Sequence, residues 1–426
     1  QNIFTPLGMV SSTFAEPAPA EILSHTATGY AYANGAYQPL PLDYLNVAPA
    51  GSLFTTAPDI AQFMIAHLED GGSILSPATA AEMHRQHFTQ HPALPGFAYG
   101  FYEHFENGRR ALLHGGDLTG FSSLLFLLPD ENVGFFVSVN TSLNPLNGTD
   151  LREPLISAFL DEFFPTPAGA TTPEPIPLPD LARFVGKYRY NRYARTTAEK
   201  GLPPSALLQI TVLANEDGTL TTLPPAGQGE PTQWEPTGPL LFQQVDGDAL
   251  LAFREDANGN ITHLFTAFSG IPIATEKVSW YEGDGFQIGL LVGLLVVFLS
   301  VVVWPVVGLF RRLMKRDANF SQEEKRVRRL AGSLSVLGLV FLIGVMIRLG
   351  QVSTAVFAPV PGWFYVLLVI PLIMIGLALG LGAITLRAWR AGTGSVFGRV
   401  HFTLITLAAF AFVWFVNYWN LLGWRF

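Results

Sequence analysis

Residues Ala111–Asn140 read ALLHGGDLTGFSSLLFLLPDENVGFFVSVN, and the fold follows from how this stretch is parsed. Leu124–Leu128 is an unbroken apolar run, as expected of a strand buried on both faces, and Val133–Val139 partly alternates. Pro129-Asp130-Glu131-Asn132 between them supplies turn chemistry. Upstream, a strand is expected to stop at His114-Gly115-Gly116, with a tight passage at Gly120-Phe121. A histidine followed by two glycines lets a backbone or ligand come close, since glycine carries no Cβ. That makes the triplet a candidate site wall, although taken alone it reads first as a turn.

Working outward, Asn107-Gly108 is a hairpin signal, so Phe97–His104 should pair with Arg109–His114. Thr56 with Asp59 three residues on opens a helix whose Ile60, Phe63, Met64 and Leu68 share a face, and Gly71-Gly72 ends it. Ser76-Pro77 opens a second. Asp150–Phe164 has helical spacing, with Leu151, Leu155, Phe159 and Phe163 on the side expected to pack on the sheet. Residues 1–50, punctuated by Pro17, Pro19, Gly29, Gly35, Pro39 and Pro41, read as mostly irregular.

Residues 166–180 form a Pro-rich linker, and 181–283 carry short strands with turns at Glu216-Asp217-Gly218 and Asn258-Gly259-Asn260. From 284 onward the chain changes character. Apolar runs near 286–310, 330–347, 363–386 and 400–424 each approach the roughly 20 residues a bilayer span needs. The loop Arg311–Arg329 holds eight basic and three acidic residues, and Arg387, Arg390 and Arg399 mark the third loop. The positive-inside rule therefore turns loops 311–329 and 387–399 to the cytoplasm and the preceding domains outward. None of the four spans has a charge near its centre, which argues for an anchor rather than a transporter; Asn417 and His401 read as interhelical hydrogen-bonders.

Composition agrees. The 426 residues are 49% hydrophobic and 14% charged. Residues 286–426 carry 13 Lys+Arg against 3 Asp+Glu, leaving the remainder with 12 basic and 30 acidic residues. So acidic an extramembrane part argues against nucleic acid as a partner. With no cysteine there are no disulfides, no thiolate nucleophile and no Cys-ligated zinc. His84, His87 and His91 would share a face if the second helix ran that far, but Pro92 follows and no His-Glu-x-x-His pattern accompanies them; no metal or other cofactor is expected.

Five short pieces, in order, resemble the penicillin-recognising serine hydrolases, the group of class C β-lactamases, D,D-peptidases and related esterases. They are Ile3-Phe4-Thr5-Pro6-Leu7-Gly8-Met9, Thr28-Gly29-Tyr30, Ala50-Gly51-Ser52-Leu53-Phe54-Thr55-Thr56 with Asp59, Tyr99-Gly100-Phe101, and His114-Gly115-Gly116, which is similar to the third active-site motif. The resemblance implies residues 1–165 as the C-terminal part of a β-lactamase-like domain, antiparallel sheet with helices, then a small β-barrel-like domain; with the four-helix transmembrane bundle read from the apolar runs, the fold class is α+β. It implies that His114 lines a pocket as a catalytic group, that Gly115, Gly116 and Asp117 bind substrate, and that the Asp117 N–H donates to an oxyanion.

Acyl transfer in that group needs a serine nucleophile with a lysine, and the sequence has no Ser-x-x-Lys. The order of motifs places such a segment before Pro6, so the chain is expected to lack its N-terminal part. Tyr32-Ala33-Asn34 spells a Tyr-x-Asn, but at a position where the resemblance does not want one. Two functions follow: a membrane-anchored extracytoplasmic serine hydrolase acting on an ester, amide or peptide, with the lipid bilayer and an acyl substrate as partners, or a non-catalytic sensor with a degenerate hydrolase fold.

Overall fold

The computed structural model describes the chain except residues 1, 34, 43, 45–47, 49, 142–150, 167–178, 202–208, 226–229, 269–270, 315–320 and 353–359. It divides into two compact units, residues 1–188 with 210–277, and residues 189–209 with 278–426. The Pro-rich linker lies almost wholly outside the described residues.

The first unit begins with short helices α1 (Phe4–Leu7) and α2 (Ala20–His25) and a hairpin of β1 (Tyr30–Ala33) with β2 (Ala36–Pro39), more order than the punctuation suggested. Helix α3 (Ala57–Leu68) is capped as expected, the Thr56 hydroxyl accepting from the Asp59 N–H, and α4 (Pro77–His84) is capped by Ser76. A four-stranded antiparallel sheet follows in chain order: β3 (Tyr102–Glu106), β4 (Arg109–Leu118), β5 (Phe121–Leu128) and β6 (Val133–Val139).

Two expectations about these strands change. β3 starts at Tyr102 rather than Phe97, because Gly100 takes φ +78° and breaks the extended run. β4 does not stop at the glycines: it pairs with β5 from Leu112↔Leu127 through Gly116↔Ser123 to Leu118↔Phe121, since glycines still donate and accept in a ladder.

The sheet is covered on both faces. Leu112, Leu125 and Leu127 pack with Met9, Ile60 and Met64, so α3 and the Gly8-Met9 segment lie on one side. Ala111, Leu113, Leu124, Phe126 and Leu128 pack with Ile156 and Leu160 of α5 (Arg152–Phe163) on the other. Helix α5 is where expected but rotated. Leu151, Leu155 and Phe163 are exposed, Phe159 is partly buried, and the inward stripe is Arg152, Ile156 and Leu160. An arginine at the head of that stripe disguised it.

Eight strands then close a barrel in the order β10-β11-β12-β13-β14-β7-β8-β9. They are β7 (Gly186–Tyr190), β8 (Gln209–Ala214), β9 (Leu220–Leu223), β10 (Thr232–Gly238), β11 (Leu241–Gln244), β12 (Leu250–Glu255), β13 (Ile261–Phe268) and β14 (Ile271–Lys277). Phe184, Tyr188, Trp234, Phe242 and Phe253 fill its interior. Eight strands leave a lumen about the size of its own side chains, and aromatics consume it.

The second unit holds α6 (Asp284–Leu299), α7 (Val303–Leu313), α8 (Gln322–Val352), α9 (Gly362–Leu367), α10 (Ile370–Ala391) and α11 (Val396–Tyr418). Among the described residues they supply four helical stretches long and apolar enough to cross a membrane: 284–308, 322–351, 362–391 and 396–418. A 3-10 turn at Ser300–Val302 precedes Pro305, whose ring nitrogen cannot donate to the turn before it. His401 hydrogen-bonds Ser300 across helices at 2.7 Å, whereas Asn417 accepts from Arg425 at 2.9 Å in its own C-terminal tail.

Candidate functional site

The strand end at His114 is defined by what β3 leaves uncovered. The β3–β4 ladder runs from Glu106↔Arg109 to Tyr102↔Leu113, so β4 extends five residues, His114–Leu118, beyond it. Among the described residues no strand pairs with that edge. Two tight turns fix which backbone groups face it. The two-residue loop Asn107-Gly108, with φ +50° and +70°, makes Glu106 and Arg109 a hydrogen-bonded pair, so Arg109, Ala111 and Leu113 direct their N–H toward β3. The loop at Thr119-Gly120 makes Leu118 and Phe121 the equivalent pair toward β5. Both parities agree: beyond Leu113, the N–H groups of Gly115 and Asp117 point to the open edge.

The His114 ring is exposed and lies nearly parallel to Tyr102, centroids 5.7 Å apart and planes 18° apart. Its ladder partner Leu125 belongs to the cluster that contains Met9 and Ile60. The Gly-Met and Thr-Thr segments therefore support the face His114 stands on. They are tied together by Asp59, whose Oδ2 accepts from the Ser11 N–H at 2.9 Å and the Ser12 hydroxyl at 2.7 Å. At the tip of the β4–β5 hairpin, Gly29 of the Thr-Gly-Tyr piece meets Gly120. A Cβ on Gly120 would lie 2.9 Å from the Gly29 Cα, and Gly120 has φ +85°.

Gly115 and Gly116 are different. A Cβ at either would find its nearest neighbours at 3.9 Å, an ordinary contact. Packing inside the domain does not demand glycine at these positions. On the α5 face, Asp117 pairs with Arg152 at 2.9 Å, and Arg152 also donates to the Ser123 carbonyl at 3.1 Å.

The remaining sequence candidates disperse. Tyr32 packs against Tyr37 in the β1–β2 hairpin and is exposed, and Asn34 lies outside the described residues. Helix α4 ends at His84, so His84, His87 and His91 do not share a helical face; His87 stacks on Tyr99 instead. The described residues contain no group of three or more His, Cys, Asp or Glu placed to hold a metal.

Sequence reasoning missed two features. One is Arg152 at the head of the inward stripe of α5. The other is a pair of buried His67 with half-buried His84, Nδ1 to Nε2 at 3.1 Å, walled by Phe63 and Phe101. Burial, and then the charge of His84, push His67 down to about 4. Burial and the nearby Arg110 lower His84 as well, against an opposing pull from Asp70. The i, i+17 spacing between the two histidines has no periodic signature.

A cavity of about 270 Å³ opens at the other end of β4, lined by Phe105, Gly108, Arg109, Arg110, Leu128, Asp130 and Glu131. The Arg109–Glu131 ion pair, 2.8 Å, spans these residues and lies at the strand end opposite His114.

Residues 1–156 match the family model described as beta-lactamase. Among solved structures, the chain is similar to the octameric penicillin-binding protein homologue from Pyrococcus abyssi at 16% identity, covering 65% of this chain and 58% of that one with a TM-score of 0.34. It is similar to SurE at 19% identity, covering 65% and 62%, TM-score 0.41. A class C beta lactamase from Rhodobacter sphaeroides matches at 17% identity over 37% of this chain and 52% of that one, TM-score 0.31. The chain thus spans about three fifths of the length of the first two. No curated protein matches it.

Proposed function

We propose that the β-lactamase-like part of this chain is one wall of an acyl-transfer pocket in a membrane-anchored, extracytoplasmic serine hydrolase acting on an ester, amide or peptide through an acyl-enzyme. The observation that carries the reading is the uncovered edge of β4, where the Gly115 and Asp117 N–H groups face outward immediately after His114. An N–H fixed in a sheet is a preorganised donor for a developing oxyanion, because no reorganisation is needed as charge builds up. The Asp117 N–H takes that role. His114, braced by Tyr102, holds the substrate by hydrogen bond at the pocket rim, and the glycines let the acyl chain run against the strand. The attacking serine is not among these residues, since the sequence holds no Ser-x-x-Lys.

The test is covalent labelling of the protein, expressed in membranes from its complete reading frame, with a fluorescent fluorophosphonate or penicillin. A label that weakens in His114→Ala supports the hydrolase. Failure of both probes to label supports the second reading, a non-catalytic ligand-binding or sensor protein on a degenerate hydrolase fold, which the missing Ser-x-x-Lys favours.

A further inference from the structure

Helix α8 turns one stripe toward the bundle. Val327, Ala331, Leu334 and Phe341 are buried, and Gly338 between them faces the Phe298 ring. This spacing of three and four residues carries on to Arg348, which is 4% exposed. One turn earlier, Gly344 leaves room for Leu367 of α9, whose side chain would lie 2.6 Å from a Cβ there. The stripe therefore ends, inside a candidate span, on a guanidinium.

No group among the described residues neutralises that charge. Nε of Arg348 has no hydrogen-bond partner, and no ion pair reaches the residue among those described. Residues 349–362 contain no Asp or Glu. Glu282, in the same unit, is held by Tyr418 at 3.1 Å and by the Ser279 N–H at 3.1 Å. A buried charge without a counter-charge is costly, and an ionisable group within a membrane segment marks a functional site by default.

A second feature lies on α9, whose Leu367 packs against Gly344 one turn before Arg348. Phe364 and Leu367 of α9 join the bundle core, while the neighbouring Tyr365, Val366 and Val369 line a hollow of about 400 Å³ with Trp424. The hollow is apolar and its rim carries the aromatic residues common at a membrane surface.

We propose that Arg348 binds the phosphate of a phospholipid headgroup, with an acyl chain of the same lipid along the Tyr365–Val369 hollow. The planar guanidinium fork fits phosphate oxygens two at a time, which an ammonium does not. The proposal concerns the helical unit alone and does not depend on the hydrolase reading.

Thermal unfolding of the delipidated full chain in detergent tests it, with dimyristoyl phosphatidylglycerol and inorganic phosphate as separate probes. Lipid near 100 times its dissociation constant raises the wild-type midpoint by on the order of 5 °C. That rise disappears in Arg348→Gln, is partly kept in Arg348→Lys, and is unchanged in Arg387→Gln. Without lipid, Arg348→Gln melts no lower than wild type, because no described carboxylate loses its partner. A rise with inorganic phosphate alone keeps the anion site but overturns the lipid. An equal rise in wild type and Arg348→Gln, or no rise with either probe, overturns the site.

Discussion

Nη1 of Arg152 lies 2.9 Å from Oδ1 of Asp117, and the same nitrogen donates to the Ser123 carbonyl at 3.1 Å. One buried side chain on α5 thus clamps β4 and β5 at the point where β4 loses its outer neighbour. The consequence is mechanical: Asp117 is held by its side chain on one face while its N–H is left for the open edge. Replacing Arg152 by Met removes the clamp but keeps the apolar stem. We expect a stability loss of about 1–3 kcal/mol, from a carboxylate and a carbonyl that lose their donor. Asp117→Asn, retaining a hydrogen-bonding group at a half-exposed position, costs less. Chemical denaturation of both variants, followed by tryptophan fluorescence, checks the order.

The glycines separate structure from function. Gly120 has φ +85° and a would-be Cβ 2.9 Å from the Gly29 Cα, so Gly120→Ala strains the backbone and drives two segments apart. A loss above about 2 kcal/mol is expected from the combination. Gly116→Ala meets nothing closer than 3.9 Å and has no strained φ, so its melting temperature should stay within about 2 °C of wild type. If the open edge receives an acyl chain, Gly116→Ala nevertheless slows covalent labelling at least tenfold. Unchanged labelling would remove the edge from the site.

How much of this could be read in advance depends on whether a residue's role is local. Thr56 and Ser76 announced their helices because a cap is a contact three residues long. The four apolar runs announced themselves by length alone. The β4 overrun past Gly115-Gly116 was not legible, since what carries a strand through glycines is the partner strand opposite. The inward face of α5 differs from its apolar spacing for a related reason: Arg152 heads it because Asp117 stands on the sheet face that α5 covers. His67 and His84 meet through the packing of two helices, which no spacing rule records.

That histidine pair gives the first unit an acid sensitivity. His67, in the folded chain, has its pKa lowered to about 4 from 6.5 by burial foremost and by His84 second. A depressed histidine binds protons more weakly folded than unfolded, so its contribution to stability is complete above pH 6.5 and lost as pH falls toward 4. The full span amounts to roughly 3 kcal/mol. His67→Gln removes the titrating group, and its denaturation midpoint should vary less between about pH 6.5 and 4.5 than that of wild type. Parallel curves for the two proteins across that interval would show that the pair does not titrate with folding.

Orientation in the membrane is simple to measure because the chain has no cysteine. Arg387, Arg390 and Arg399 flank the turn between α10 and α11, and Lys325, Arg326, Arg328 and Arg329 open α8 at the same end of the bundle. The positive-inside bias makes that end the cytoplasmic one in the proposed topology. A single cysteine at Thr393, in that turn, is then shielded in intact cells from a membrane-impermeant maleimide. A cysteine at the exposed Glu216, in the turn between β8 and β9, reacts freely. Both react once the membrane is permeabilised, so a silent Thr393→Cys is a matter of side and not of burial. The opposite pattern would put the β4 edge in the cytoplasm, and an extracytoplasmic acyl substrate could then no longer reach it.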